Sequence, residues 1–143
     1  MNKEEIIAVA REMAKSHRPF MLGTVDALGR PQVRWMGDLL LEEPLVMWMA
    51  CQRQSRKVGQ IQARPAAQVV FSSDDFSTVV TVSGRCDVRV DAANKKKVWE
   101  GIPTLARYMS GPEDPNLATL RFVGTRVELL KLAEGREPQV AEL

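Results

Sequence analysis

Ser55-Arg56-Lys57 stands where an apolar run, Leu45 to Cys51, gives way through Gln52-Arg53-Gln54 to a helical pattern that stops at Arg64-Pro65. A strand feeding a helix N-terminus attracts anions, because the first-turn amides lack partners and the helix dipole is positive there. Ser55 adds a hydroxyl, Arg56 a guanidinium fork suited to bidentate contacts, and Lys57 a compact positive charge. A terminal phosphate fits this set, and so does a plainer arrangement, an N-capping serine followed by two solvated cations. The surrounding charge is uneven: no Asp or Glu occurs from Pro44 through Ser73, whereas Arg53, Arg56, Lys57 and Arg64 do, in a chain whose net charge is only +2. Arg30 and Arg34 lie just upstream and would join a cationic cluster if these segments pack together. An anionic ligand and a basic face made for solubility both remain open on charge alone.

Other chemistries are limited by what the chain lacks. His17 is the only histidine, which leaves no Ser-His-Asp or Cys-His apparatus unless His17 serves it, and no multi-histidine metal site. Cys51 and Cys86 are the only cysteines, too few for a zinc knuckle or a disulfide framework, and no signal peptide is evident, so free thiols and a cytoplasmic location are expected. Cys86 falls among valines and reads as core, while Cys51 is either a buried structural thiol or one activated by the basic cluster. His17 reads as a helix-end dipole partner or surface residue, Met47 and Met49 as packing, and Lys95, Lys96 and Lys97 as a solvated helix face. With 143 residues, 45% of them apolar, the chain suits one soluble domain with its own core. No apolar run approaches the roughly 20 residues of a membrane-spanning helix. A barrel binding single-stranded nucleic acid through Trp35 and Trp48 is a third reading, but the low overall charge argues against it.

The elements that must position these residues follow from periodicity. Asn2 caps a helix over 3–16 whose apolar stripe is Ile6, Ile7, Ala10, Met13 and Ala14, and Pro19 ends it. Phe20–Val25 and Pro31–Leu41 read as a hairpin about the turn Asp26-Ala27-Leu28-Gly29. Leu45–Cys51 is apolar enough to be covered on both faces. A short helix runs to Ala63, followed by a strand over Ala67–Phe71, a polar loop over Ser72–Ser77 and a long strand over Thr78–Val90 with Gly84 at a bend. Asp91 caps a helix through about Leu105, Tyr108–Asn116 is a loop, and Leu117–Leu132 is the last strand, irregular at Gly124. The tail from residue 133 to 143 reads as polar and frayed. The expected architecture is mainly β with flanking helices, a six-stranded antiparallel sheet curled into a small barrel, in one domain over 1–143 with its core in 19–132.

An ordered series of short motifs resembles the FMN-binding split-barrel superfamily, the pyridoxamine 5'-phosphate oxidase-like proteins, and within it the general stress protein 26-like branch. The series is Gly29-Arg30-Pro31 with Val33-Arg34-Trp35-Met36, the strand ending at Cys51, Ser55-Arg56-Lys57 with Ala63-Arg64-Pro65, Val82-Ser83-Gly84, Val98-Trp99, and Gly111-Pro112-Glu113-Asp114-Pro115. The resemblance spans 19–132 and implies a homodimeric split barrel that binds FMN at its two-fold interface. It implies that Arg34, Ser55, Arg56 and Lys57 hold the phosphate, that Trp35 and Met36 lie beside the ribityl chain and flavin ring, and that Ala50 and Cys51 close another side. Thr78 would make a further polar contact, and Trp99 and Tyr108 would approach from the partner subunit. The implied activity is an oxidoreductase exchanging hydride or electrons with a small molecule or a nicotinamide donor, with no separate catalytic side chain, no metal, and no nucleic-acid or membrane partner. The alternative is a non-catalytic or stress-related module of the same fold carrying flavin, deazaflavin or haem. Trp35 stands where the branch usually has Pro, and Cys51 where it has Thr. The chain ends at Leu143 without the Arg- and Trp-containing segment that completes the vitamin B6 site of true oxidases, so true pyridoxamine 5'-phosphate oxidase activity is not expected.

Overall fold

The computed structural model describes residues 1–135 and 137–143. The chain runs α1 (Lys3–Ala14), β1 (Phe20–Val25), β2 (Pro31–Met36), β3 (Leu40–Glu42), β4 (Val46–Gln52), α2 (Arg56–Ala63), β5 (Ala66–Ser72), β6 (Thr78–Arg89), α3 (Ala92–Gly101), a 3-10 helix (Pro103–Arg107), β7 (Leu117–Lys131) and β8 (Gln139–Glu142). All strand pairs are antiparallel. The order is β2-β1-β5-β6-β7-β4-β3, with β8 also beside β7, so the described residues form eight strands where the sequence pattern predicts six.

One of the additional strands comes from dividing the expected strand Pro31–Leu41. Its first part pairs with β1 at one edge of the sheet, while Leu40–Glu42 pairs with β4 at the other. Apolar alternation continues across the break, but the strand itself is interrupted at Gly37 and Asp38, with the Asp38 carboxylate accepting the Leu39 amide at 2.8 Å. This break shapes the sheet. Four Cα steps from Met36 to Leu40 reach at most about 14 Å, whereas the edges of a flat seven-strand path would lie about 29 Å apart. The sheet must therefore curl until its two edges are neighbours, which gives the partly closed, split-barrel-like form.

The inward faces of the strands share one core that includes Phe20, Leu22, Met47, Met49, Val69, Val82, Leu120 and Phe122, and α1 and α2 add Ile6, Ala10, Val58 and Ile61 to it. Behind β4 and β7 a second apolar cluster joins Val46, Trp48 and Leu117 to Val98, Ile102, Leu105 and Met109. β4 is thus covered on both faces, as its composition requires. The helix expected from Asp91 to Leu105 instead stops at Gly101, because Pro103 disfavours helical geometry at Ile102, and a 3-10 turn follows. The lysines of α3 are not simply a solvated face. Lys95 is buried, its Nζ donating to the Asp114 carbonyl at 2.9 Å, and Lys97 Nζ lies 4.6 Å from the centre of the Trp48 ring.

The tail also departs from expectation. β8 pairs with the second half of β7, from Arg126↔Glu142 to Leu129↔Gln139, and Ala141 is buried. That half of β7 would otherwise be an open edge, and four tail residues suffice to cover it. The β1–β2 turn forms where predicted. Gly29 takes φ +80°, and the Asp26 carboxylate accepts the amides of Leu28 and Arg30 and the side chains of Arg30 and Gln32, each at about 3 Å. These bonds lower its pKa to about 2 despite a smaller opposing effect of burial.

Candidate functional site

Ser55 ends the β4–α2 connection in an extended conformation, with φ −67° and ψ 151°, and α2 starts at the next residue. It occupies the N-cap position, yet its side chain makes no capping bond. Its Oγ is buried and has no hydrogen-bond partner among the described residues. That is costly for a hydroxyl unless something else satisfies it. The first turn of α2 carries no acid and presents Arg56 and Lys57.

Arg34 reaches this place from β2. Its Nη1 donates to the Leu22 carbonyl at 3.2 Å and to Thr24 Oγ1 at 2.7 Å, and its Nη2 donates to Gln60 Oε1, one turn beyond Arg56, at 3.1 Å. Burial first, and the Arg56 charge second, lower the Arg34 pKa. An anion between the two guanidinium groups would offset both effects by favouring the charged form. Two other cations of the expected cluster are differently engaged. Arg30 pairs with Asp26 at 2.9 Å, and Arg64 donates to the Asp26 carbonyl.

Cys51, the penultimate residue of β4, is buried beside this group. Burial pushes its thiol pKa up, and the Lys57 charge and the nearby Ser55 hydroxyl only partly oppose the rise. The basic cluster therefore does not activate it. Cys86 is pushed up to about 12, first by burial and then by Asp87 and Cys51. Neither thiol is poised to react, so in the folded protein both are expected to resist a thiol-specific disulfide reagent at neutral pH and to react fully once denaturant is added. Rapid modification of one thiol in the native protein would contradict this placement.

The model for the family described as pyridoxamine 5'-phosphate oxidase like matches residues 5–135. The chain belongs to that family. General stress protein 26 of Bacillus subtilis (strain 168) is 25% identical over 137 residues, 94% of each chain. In fold, the pyridoxamine 5'-phosphate oxidase like chain matches General Stress Protein 26 from Bacillus anthracis str. Sterne over the whole of both chains, with a TM-score of 0.77 and 24% identity. It also matches a heme binding protein from Mycobacterium smegmatis, with a TM-score of 0.76 and 16% identity, over 96% of this chain and 57% of that one.

Of the residues singled out in the sequence of this pyridoxamine 5'-phosphate oxidase like chain, the structure gathers Arg34 with Arg56, and Cys51 with Ser55 and Lys57, about the first turns of α2. Met36 shares the inward side of β2 with Arg34 and is buried in the core. The remaining residues lie elsewhere in the subunit. Trp35 points to the opposite side of β2 and is 66% exposed, and Ala50 likewise faces away from Cys51, because successive strand residues alternate. Ala50 lines a small cleft of about 120 Å³ with Gly37, Asp38, Thr104 and Tyr108. Trp99 lines a different cleft between α3 and Pro112-Glu113. Thr78, at the far end of β6, takes its place beside α1, where its amide donates to Ser73 Oγ at 3.0 Å. His17 pairs with Asp38 at 3.1 Å.

Two residues of the site, Thr24 and Gln60, escape sequence reasoning. The signal for Thr24 was its parity with Phe20 and Leu22, which puts a polar group on an inward face, and for Gln60 its spacing of four from Arg56.

Proposed function

We propose that this chain binds FMN through its terminal phosphate at the start of α2 and acts as an FMN-dependent oxidoreductase on a small molecule, with a nicotinamide as electron partner. The observation that carries this reading is the buried Ser55 hydroxyl, which has no partner among the described residues and heads the helix turn that carries Arg56 and Lys57, with Arg34 anchored on Gln60 of the same helix. A phosphate would supply the missing acceptor and the missing negative charge together. Bound FMN would bring hydride and electron transfer, chemistry that none of these side chains offers. Arg34, Arg56, Lys57 and Ser55 would fix its phosphate, while the surrounding β4 and α2 core keeps water from that side.

The reading includes a homodimer. On the outer side of β2, Val33 and Trp35 are 58% and 66% exposed. Beside them Gly23, Pro31, Ala66 and Ser83 line an apolar groove of about 360 Å³. A second copy covering this face would bury the exposed tryptophan. Trp99 and Tyr108 of one subunit would then be available to the flavin of the other.

Protein mixed with FMN and desalted is expected to remain yellow and to bleach with dithionite, and bleaching by NAD(P)H would identify a nicotinamide donor. Protein left colourless by this treatment overturns the reading. Yellow protein that dithionite bleaches but that turns over with no acceptor supports the second reading, a carrier of flavin or deazaflavin without catalysis. That reading draws on a site whose one thiol is raised away from neutrality. Haem fits less well, because the group at the start of α2 includes no histidine and its one thiol, Cys51, is held away from the thiolate form that ligates iron.

A further inference from the structure

We infer that Thr24 and Gln60 are positioning residues that hold Arg34 through uncharged oxygens, leaving its positive charge free and making the site selective for a phosphate monoester dianion. The inference rests on the phosphate reading above and adds what sets the charge of the ligand. The Thr24 side chain, on the inward face of β1 and 2% exposed as a residue, accepts from Arg34 Nη1 at 2.7 Å and donates its own proton to Gln60 Oε1 at 2.6 Å. Gln60 Oε1 also accepts from Arg34 Nη2 at 3.1 Å. With the Leu22 carbonyl at 3.2 Å, every acceptor on this guanidinium is neutral.

Among the described residues Arg34 has no carboxylate within ion-pair distance, unlike Arg11, Arg18, Arg30, Arg89 and Arg126. The charged group that acts on it is another cation, Arg56. A half-buried guanidinium placed for stability alone would be paired, because an uncompensated charge away from water is costly. A glutamate at position 60 would supply that pair with almost no change of shape. The amide found there orients the guanidinium and leaves its charge unspent. Arg34, Arg56 and Lys57 then face the ligand together, which favours a phosphate monoester with a charge of about −1.5 to −2 over a singly charged diester.

The test compares FMN with riboflavin, which lacks the phosphate, on wild-type protein and on Gln60→Glu, with thermal melting as the check on folding. The new carboxylate would pair with Arg34, so the variant is expected to fold at least as stably as wild type. Its affinity for FMN should nonetheless fall roughly ten- to a hundredfold, the loss of one charge-assisted contact, with riboflavin affinity unchanged. Inorganic phosphate should compete with FMN on wild type and much less on the variant. Thr24→Val provides a second route, removing the hydroxyl at similar volume, and should move FMN affinity in the same direction.

Full FMN preference in Gln60→Glu overturns the inference, and so does an equal loss of FMN and riboflavin binding, which would make the role merely structural. Loss of folding in both variants also overturns it, by assigning the Thr24–Gln60 pair to the core. Wild-type protein that binds riboflavin as tightly as FMN refutes something different, the phosphate reading itself.

Discussion

Replacing Arg56 and Lys57 together by alanine is expected to strip FMN from the protein while leaving the fold intact. Two charge-assisted contacts to a phosphate would be lost, at roughly 1.5–3 kcal/mol each. Together they correspond to about 10²- to 10⁴-fold in affinity, enough to turn a cofactor that survives desalting into one that washes away. The folded state should tolerate the change. Arg56 is exposed and Lys57 half-exposed, and both lie in the first turn of α2, where two cations oppose the helix dipole instead of supporting it. Alanine is the better helix former at each position. Melting temperature should therefore hold or rise slightly as the absorbance of retained FMN disappears. Retention equal to wild type would refute the phosphate assignment, and a collapse in melting temperature would show that these cations support the fold.

The residues that make this experiment possible were legible in the sequence because their signals are local. An apolar run ending at Cys51, a serine with two cations behind it, and the stop at Arg64-Pro65 fix a strand, a helix start and a helix end without reference to the rest of the chain. The absence of acid from Pro44 through Ser73 is equally local. What was not legible depends on partners distant in sequence. The division of Pro31–Leu41 between opposite sheet edges is invisible to alternation, which continues across Gly37-Asp38. The pairing of Gln139–Glu142 depends on the unfilled half of β7 more than on any strength of its own pattern. Thr24 and Gln60 meet Arg34 only because β1, β2 and α2 converge. Other signals are local but compete with stronger ones. Pro103 marks the end of α3, and the alternation of strand side chains separates Trp35 from Arg34 and Ala50 from Cys51 in a single subunit.

Gly84→Ala is expected to be the most damaging of the small substitutions available in the sheet. β7 runs beside β4 from Leu117 to Val123 and beside β8 from Arg126 to Leu129, and the handover falls at Gly124-Thr125. Opposite it on β6 the register slips, with Ser83 facing Arg126 and Gly84 facing Gly124, so Thr125 is the extra residue of a bulge. The backbones approach so closely there that a Cβ on Gly84 would land on the Val123 carbonyl oxygen, 2.9 Å from its carbon and 3.0 Å from Phe122 Cζ. The obstacle is main chain held in two ladders, so relief requires the ladder to open, and the cost should reach the upper end of overpacking penalties, about 3 kcal/mol or more. Gly124→Ala should cost less, because its Cβ would meet side chains, Val82 Cγ1 at 2.8 Å and Leu45 Cδ2 at 3.0 Å, which can shift. Gly59→Ala provides the opposite sign. It lies within α2, its added Cβ meets nothing within 4 Å, and helix propensity alone should raise stability by up to about 1 kcal/mol. Denaturant midpoints ordered Gly59→Ala, wild type, Gly124→Ala, Gly84→Ala from most to least stable would place the strain at the strand crossing. A harmless Gly84→Ala would mean that the two backbones do not approach in solution as closely as this register requires.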